Sequence, residues 1–295
     1  MVEGSGFENR RRETYRGFES LLLRCLRHSF KRSINGSFIV SFNIMNSFPS
    51  VTVCTPTYNR FPFIPTLLEM FRNQDYPKSR LQWVIVDDGN FKIHNILQSS
   101  PDLLPNIKYV PLEKKLSLGA KRNLMHKHAD GDILVYMDDD DYYPPDRVSH
   151  AVEMLTRKPG VLAAGSTELY MYFDHVKKMY KSGPFHSNHA TAGTFAFKRE
   201  LLSHTRYNDS DNIAEEKTFL KDFTVPLVQL DPLKTILVFP HDRNTFDKKK
   251  LMNIENTIFS ESDKTVEMWI KRPEEEKIKK FFLNFMQSKV NQIPV

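Results

Sequence analysis

Four consecutive carboxylates, Asp138-Asp139-Asp140-Asp141, follow the apolar run Ile133-Leu134-Val135-Tyr136-Met137. Like charges this close repel, and such a run is disfavoured unless a cation or solvent screens it. The alternative is an exposed acidic loop, but the five apolar residues ahead of it draw the cluster against the core. Magnesium and manganese take hard oxygen ligands, commonly one or two carboxylates together with phosphate oxygens. The chemistry on offer is therefore a grip on a diphosphate mediated by Mn2+ or Mg2+.

Other charged groups stand at similarly pointed places. Asp87-Asp88-Gly89 closes the apolar run Leu81 to Val86 and, by itself, reads as a turn. Lys121 and Arg122 fall in the first turn of an expected helix, where a cation opposes the helix dipole. Contact with a phosphate or with the acidic cluster explains them; solvent-facing charges are the alternative. Glu215-Glu216 is the kind of pair that often opens a solvated helix, and His241 stands alone after an apolar stretch.

The elements that must position these groups alternate. Val51 to Thr55 is a β-branched strand ending at Pro56, and Ile64 to Phe71 has helical spacing. Strands are expected over Leu81–Val86, Ile107–Val110 and Ile133–Met137, with a helix over Ala120–Ala129. Such alternation predicts an α/β sheet with parallel strands, whose ligands gather at the strands' carboxyl ends, where both acidic groups fall. Further strands are expected over Val161–Ala164, Glu168–Phe173, Thr194–Phe197 and Thr235–Phe239, and helices over Glu215–Phe223 and Val266–Gln287, the last broken at Pro273.

Composition narrows the field. The 295 residues are 40% hydrophobic and 26% charged, with a net charge of +6. Residues 1–48 contain eight Lys or Arg against four Glu, so that segment supplies +4 and the remaining body about +2. A nucleic-acid partner is not expected. Two cysteines make neither a disulfide scaffold nor a zinc site, which fits a reducing compartment. No run of roughly 18 apolar residues occurs, so the chain is expected to be cytoplasmic, either soluble or held at a membrane periphery through its basic N-terminal extension.

Taken together, the motifs resemble glycosyltransferase family 2. Gly131 to Asp141, followed by Tyr142-Tyr143-Pro144-Pro145-Asp146-Arg147, is similar to that family's Asp-X-Asp region, and Pro56-Thr57-Tyr58-Asn59 to its opening Pro-X-Tyr-Asn motif. The resemblance implies a GT-A fold: a mostly parallel, Rossmann-like sheet flanked by helices, with a less regular acceptor-side half. It makes 49–247 a catalytic domain (nucleotide half 49–146, acceptor half 147–247), while charge and spacing read 1–48 as a basic extension, disordered or loosely docked, and 248–295 as a C-terminal helical segment. It places Pro56 and Tyr58 at the nucleotide, with Tyr58 stacked on the base. Asp88 would accept a hydrogen bond from the base and Asp87 face the ribose. Lys121 and Arg122 open a helix beside the nucleotide. Asp140 becomes the chief metal ligand, assisted by Asp138 and His241, with Asp138 and Asp139 near the sugar nucleotide and the register open by one residue. Ala214-Glu215-Glu216 resembles the motif that supplies the base in inverting members, which makes Glu216 the base and Glu215 the fallback. His189 to Thr194 resembles a small-residue loop near sugar and acceptor.

The implied reaction moves a sugar from a nucleotide diphosphate, by family weight UDP, to a hydroxyl of a glycan, protein or lipid-linked acceptor, with inversion. Two other readings compete. One is an Asp-dependent phosphotransferase, which normally places Thr where Tyr142 stands. The other is a degenerate transferase domain that only binds.

Overall fold

The computed structural model describes residues 48–241, 244, 248, 251 and 258–287. The expectations for the basic N-terminal extension, including its membrane contact, therefore lie outside the described residues. Pro49 onward forms one compact unit.

Its main sheet has seven strands in the order β3-β2-β1-β4-β8-β5-β9. These are β1 (Val51–Thr57), β2 (Leu81–Asp87), β3 (Ile107–Pro111), β4 (Ile133–Tyr136), β5 (Ala163–Gly165), β8 (Ala196–Lys198) and β9 (Leu227–Gln229). β1, β2, β3 and β4 run parallel, β8 lies antiparallel between β4 and β5, and β9 is parallel to β5. A second sheet, in the order β10-β7-β6, joins β6 (Leu169–Phe173), β7 (Lys178–Ser182) and β10 (Phe259–Ser262) by antiparallel pairing.

All seven residues of β1 are buried, because this central strand is covered on both faces. Two of its threonines, Thr52 and Thr55, satisfy their hydroxyls internally. Thr52 Oγ1 donates to Gln82 Oε1 at 2.6 Å and accepts from Gly131 N at 2.8 Å. Thr55 Oγ1 donates to Met137 O at 2.7 Å and accepts from the Trp83 indole at 2.9 Å. These bonds tie β1 to β2 and β4 in a register that sets Thr57 beside Asp87 and Cys54 beside Tyr136. The three carboxyl ends thus share one edge, where the aspartate cluster begins.

Six α-helices complete the description: α1 (Ile64–Arg72), α2 (His94–Gln98), α3 (Leu118–Lys127), α4 (Arg147–Arg157), α5 (Glu215–Phe219) and α6 (Glu276–Gln287). Ser117 caps α3, its hydroxyl accepting from Ala120 N at 3.2 Å. Among the described residues no helix is long and apolar enough to cross a membrane.

The second half departs from expectation in four places. α5 stops at Phe219, since Lys221, Asp222 and Phe223 all have left-handed backbones (φ 51°, 54° and 59°). Thr235 to Phe239 forms no strand and makes only single bridges, Leu237 to Tyr142 and Val238 to Met171. The Val266–Gln287 helix begins at Glu276, after two short 3-10 turns. The 248–295 segment is not helical alone, because it contributes β10 to the second sheet.

Candidate active site

A cavity of about 810 Å³ opens at the shared edge of β1, β2 and β4. Pro56, Tyr58, Arg122, Asp138, Asp139 and Asp140 all line it, so residues spread over 85 positions of sequence (from 56 to 140, counted inclusively) meet at one wall. Lys115 also lines it and sets its ammonium 4.0 Å from the centre of the Tyr58 ring.

The turn after β1 is held by Asn59, whose left-handed backbone (φ 54°) turns the chain sharply. Its Oδ1 accepts from Asn90 N at 2.8 Å and lashes the turn to the loop after β2. Arg60, next in sequence, thereby reaches the cluster: its Nε lies 3.6 Å from Asp139 Oδ1 and its Nη2 3.3 Å from Asp140 Oδ2.

Asp87 and Asp88 are bonded to the chain around them. Asp87 accepts from Gly89 N at 2.9 Å, Ile93 N at 3.1 Å and the Tyr109 hydroxyl at 2.6 Å. Asp88 accepts from Leu116 N at 2.8 Å and pairs with Lys121 Nζ. Both are buried and neither lines the cavity. Their carboxylates fix the loops that do. Lys121 likewise sits buried on Asp88, and burial lowers its pKa against the opposing pull of that carboxylate.

Arg122 explains itself by its partners. Only 2% exposed, it donates from Nε to Glu215 Oε1 at 2.8 Å, and its Nη1 lies 3.6 Å from Asp138 Oδ1. Its guanidinium carbon is 4.5 Å from the centre of the Tyr136 ring. Burial works against its charge, yet Asp138 and Glu215 prevail and hold its pKa well above the ordinary value.

Within the cluster the four carboxylates differ. Burial pushes Asp140 up, but the hydrogen bond from His241 and the charge of Arg60 overcome it, so Asp140 stays ionised. Its Oδ2 lies 3.1 Å from His241 Nε2 and accepts from Asn244 Nδ2 at 3.1 Å. Burial raises Asp138, Asp139 and Asp141, the last to about 8. Asp141 faces inward and accepts from Phe239 N at 3.4 Å. Asp138 Oδ1 and Asp139 Oδ2 are buried without a hydrogen-bond partner among the described residues. Such orphaned acceptors are costly in a sealed interior and point to a ligand-facing surface.

No group of three or more His, Cys, Asp or Glu side chains encloses a cation site among the described residues. Asp140 with His241, beside the orphaned oxygens of Asp138 and Asp139, presents oxygen and imidazole donors of the kind that Mg2+ or Mn2+ accepts. It does not fit a cage made of protein ligands alone. Burial lowers the His241 pKa, which favours the neutral imidazole that a metal requires.

On α5 the two glutamates divide. Glu215 is 4% exposed and committed to Arg122. Glu216 does not line the cavity, yet it lies close enough for the charges of Arg122 and Asp138 to act on it. Burial, then the neighbouring Glu215 charge, raises it to about 7, near the value a general base needs at neutral pH. Ala214, immediately before α5, has a left-handed backbone (φ 57°).

Two residues that stand inside the quoted motifs without a role of their own, Gly193 and Arg147, also shape the site. Gly193 lies so close to the cluster that a Cβ there would stand 3.0 Å from Asp138 Oδ2. Arg147 is fully buried and donates from Nη2 to the carbonyls of Thr194 at 2.8 Å, Phe195 at 2.7 Å and Tyr136 at 3.3 Å. It clamps the end of β4 to the Gly193 turn, and burial lowers its pKa to about 10. The amphipathic spacing of α4 was the available signal for its element; nothing in the sequence marks its carbonyl contacts.

A parallel α/β half, an acidic loop at its carboxyl edge and a smaller antiparallel half are the arrangement of the GT-A fold. The glycosyl transferase family 2 model matches residues 52–218, more than half of the chain, and the chain belongs to that family. Among curated relatives, the poly(ribitol-phosphate) beta-N-acetylglucosaminyltransferase TarS of Staphylococcus aureus is 31% identical over 106 residues, which are 35% of this chain and 18% of TarS. The putative teichuronic acid biosynthesis glycosyltransferase TuaG of Bacillus subtilis is 27% identical over 111 residues, 37% of this chain and 43% of that one. The chain thus spans under half the length of either relative. Among solved structures, the mannosyltransferase PcManGT of Pyrobaculum calidifontis, in complex with GDP-Man and Mn2+, superposes with a TM-score of 0.54 at 21% identity over 78% of this chain and 68% of that one. TarS 1-349 of S. aureus in complex with UDP gives 0.50 at 21% identity over 64% and 60%.

Proposed function

We propose that this chain transfers a glycosyl group from a nucleoside-diphosphate sugar, UDP-linked by preference, to an acceptor hydroxyl with inversion at the anomeric carbon. The reading rests on one observation: Pro56, Tyr58 and the ionised Asp140 share a single cavity wall. Tyr58 offers an aromatic face for the base, and the cluster offers oxygens for a cation. Asp140, Asp138 and His241 would hold Mn2+ or Mg2+, which when bound supplies charge stabilisation to the departing diphosphate.

The chain's own residues do the rest. Glu216, raised to about 7 chiefly by burial, takes the proton of the acceptor hydroxyl as the oxygen attacks. Arg122 fixes Glu215, the residue before the base, against Asp138, and so sets the base relative to the donor end. Gly193 leaves the space beside Asp138 that a side chain would fill. TarS, a relative in part, is named for N-acetylglucosaminyl transfer, and UDP-N-acetylglucosamine is accordingly the first donor to try.

The test is a panel of UDP- and GDP-sugars with Mn2+, read by thermal stabilisation and by donor hydrolysis. A response to at least one donor, strongest for UDP-sugars, is expected, and the anomeric configuration of the product by NMR should be inverted. Silence from every donor would defeat the reading.

A further inference from the structure

Arg60 and the cation expected at the cluster contend for the same oxygens. Arg60 Nη2 lies 3.3 Å from Asp140 Oδ2, which also accepts from Asn244 and contacts His241, both at 3.1 Å. Its Nε lies 3.6 Å from Asp139 Oδ1. The Arg60 side chain is only 14% exposed, so the interaction is shielded from solvent and salt more than a surface pair is. Nor is its placement casual, since the left-handed Asn59 and its bond to Asn90 N aim the residue at the cluster.

The geometry points to Arg60, steadied by Asp139, as a resident counter-cation that a divalent ion must displace from Asp140 before that carboxylate can ligate it. This inference rests on the metal-assisted reading above. Its consequence is that free Mn2+ binds the ligand-free chain weakly, because the cluster's charge is already offset. Arg60 lines the same cavity as Pro56 and Tyr58, so an anion entering there offers the guanidinium another partner. Binding of cation and nucleoside diphosphate is then positively coupled, and by linkage the coupling is reciprocal.

The experiment is Mn2+ titration followed by electron paramagnetic resonance on the wild-type chain, Arg60→Gln and Arg60→Lys, each with and without UDP, after circular dichroism confirms folding. Without UDP, Arg60→Gln should bind Mn2+ about tenfold more tightly than wild type, a change of roughly 1.4 kcal/mol. Arg60→Lys keeps the charge and should stay near wild type, which separates displacement from a disturbed loop. Mn2+ binding by Arg60→Gln that is no tighter than wild type overturns this inference alone. No Mn2+ binding by any of the three, even with UDP, overturns both it and the metal-assisted reading.

Discussion

Arg122 Nε donates to Glu215 Oε1 over 2.8 Å, which joins the second turn of α3 to the first turn of α5 across 93 positions of sequence. The same guanidinium reaches Asp138, so one buried cation links the glutamate pair to the aspartate cluster. Arg122→Met should leave two buried carboxylates without their cation. Loss of one partner of a buried pair typically costs about 3–5 kcal/mol. A denaturant melt should show a loss of that order, and Arg122→Lys should restore only part of it, because an ammonium cannot present two separate N–H directions in a fixed plane.

Glu216→Gln should separate binding from transfer. The amide is close in shape and cannot take a proton, so turnover should fall by about 10² to 10⁴ while donor binding persists. Stopped turnover with an unchanged donor-induced thermal shift is the expected pattern. Transfer within a few-fold of wild type would remove Glu216 as the base.

The same residue sets a pH dependence. A base must be deprotonated to act, so the rate should rise with pH through an apparent value near 7 and level off above it. Glu215→Gln removes the neighbouring negative charge that helps keep Glu216 high, and the acid limb should move to lower pH. A pH–rate profile of both proteins checks the direction.

Stability carries a second pH signature, away from the site. Glu275 is 1% exposed, accepts from the Tyr142 hydroxyl at 2.8 Å and is raised by burial from 4.5 to about 7. The folded chain therefore holds this proton more tightly than the unfolded chain does. Its contribution is fully present below pH 4.5 and is lost as pH rises through about 7, at up to roughly 1.4 kcal/mol per pH unit. Glu275→Gln keeps an oxygen for Tyr142 and cannot ionise, so unfolding free energies measured from pH 4.5 to 7 should decline less steeply than in wild type.

Gly193→Ala probes the space beside the cluster. The added methyl would stand 3.0 Å from Asp138 Oδ2 and 3.4 Å from Ile236 Cδ1, so Asp138 must shift by a few tenths of an ångström. Donor turnover should fall by about tenfold with little change in melting temperature, in line with the sensitivity of catalysis to small misplacements. Steady-state kinetics beside a thermal melt reads both.

The nucleotide half was legible because each cue was local. A β-branched strand, a turn and an apolar run before four aspartates need no knowledge of the far end of the chain, and β1, β2 and β4 formed where those cues stood. Asp87 and Asp88 show the limit. Their positions at a strand end are a sequence property, but their bonds to Tyr109 and Lys121 depend on where β3 and α3 return. The second half was harder, since three consecutive left-handed residues ending α5 carry no glycine to announce them. β10, arriving from beyond residue 258 to pair with β7, is a non-local partnership of the kind that propensity does not encode. Arg122 lay between: its unfavourable place at a helix start signalled a partner, and folding supplied Glu215 and Asp138.

In the proposed function, Asp140 anchors a nucleoside diphosphate in the cavity at the ends of β1, β2 and β4. Calorimetric titration of UDP in the presence of Mn2+, on wild type and on Asp140→Asn, tests it most directly. Wild type should bind, and Asp140→Asn should bind at least tenfold more weakly, with both proteins folded. Equal affinity for UDP in the two proteins would contradict it.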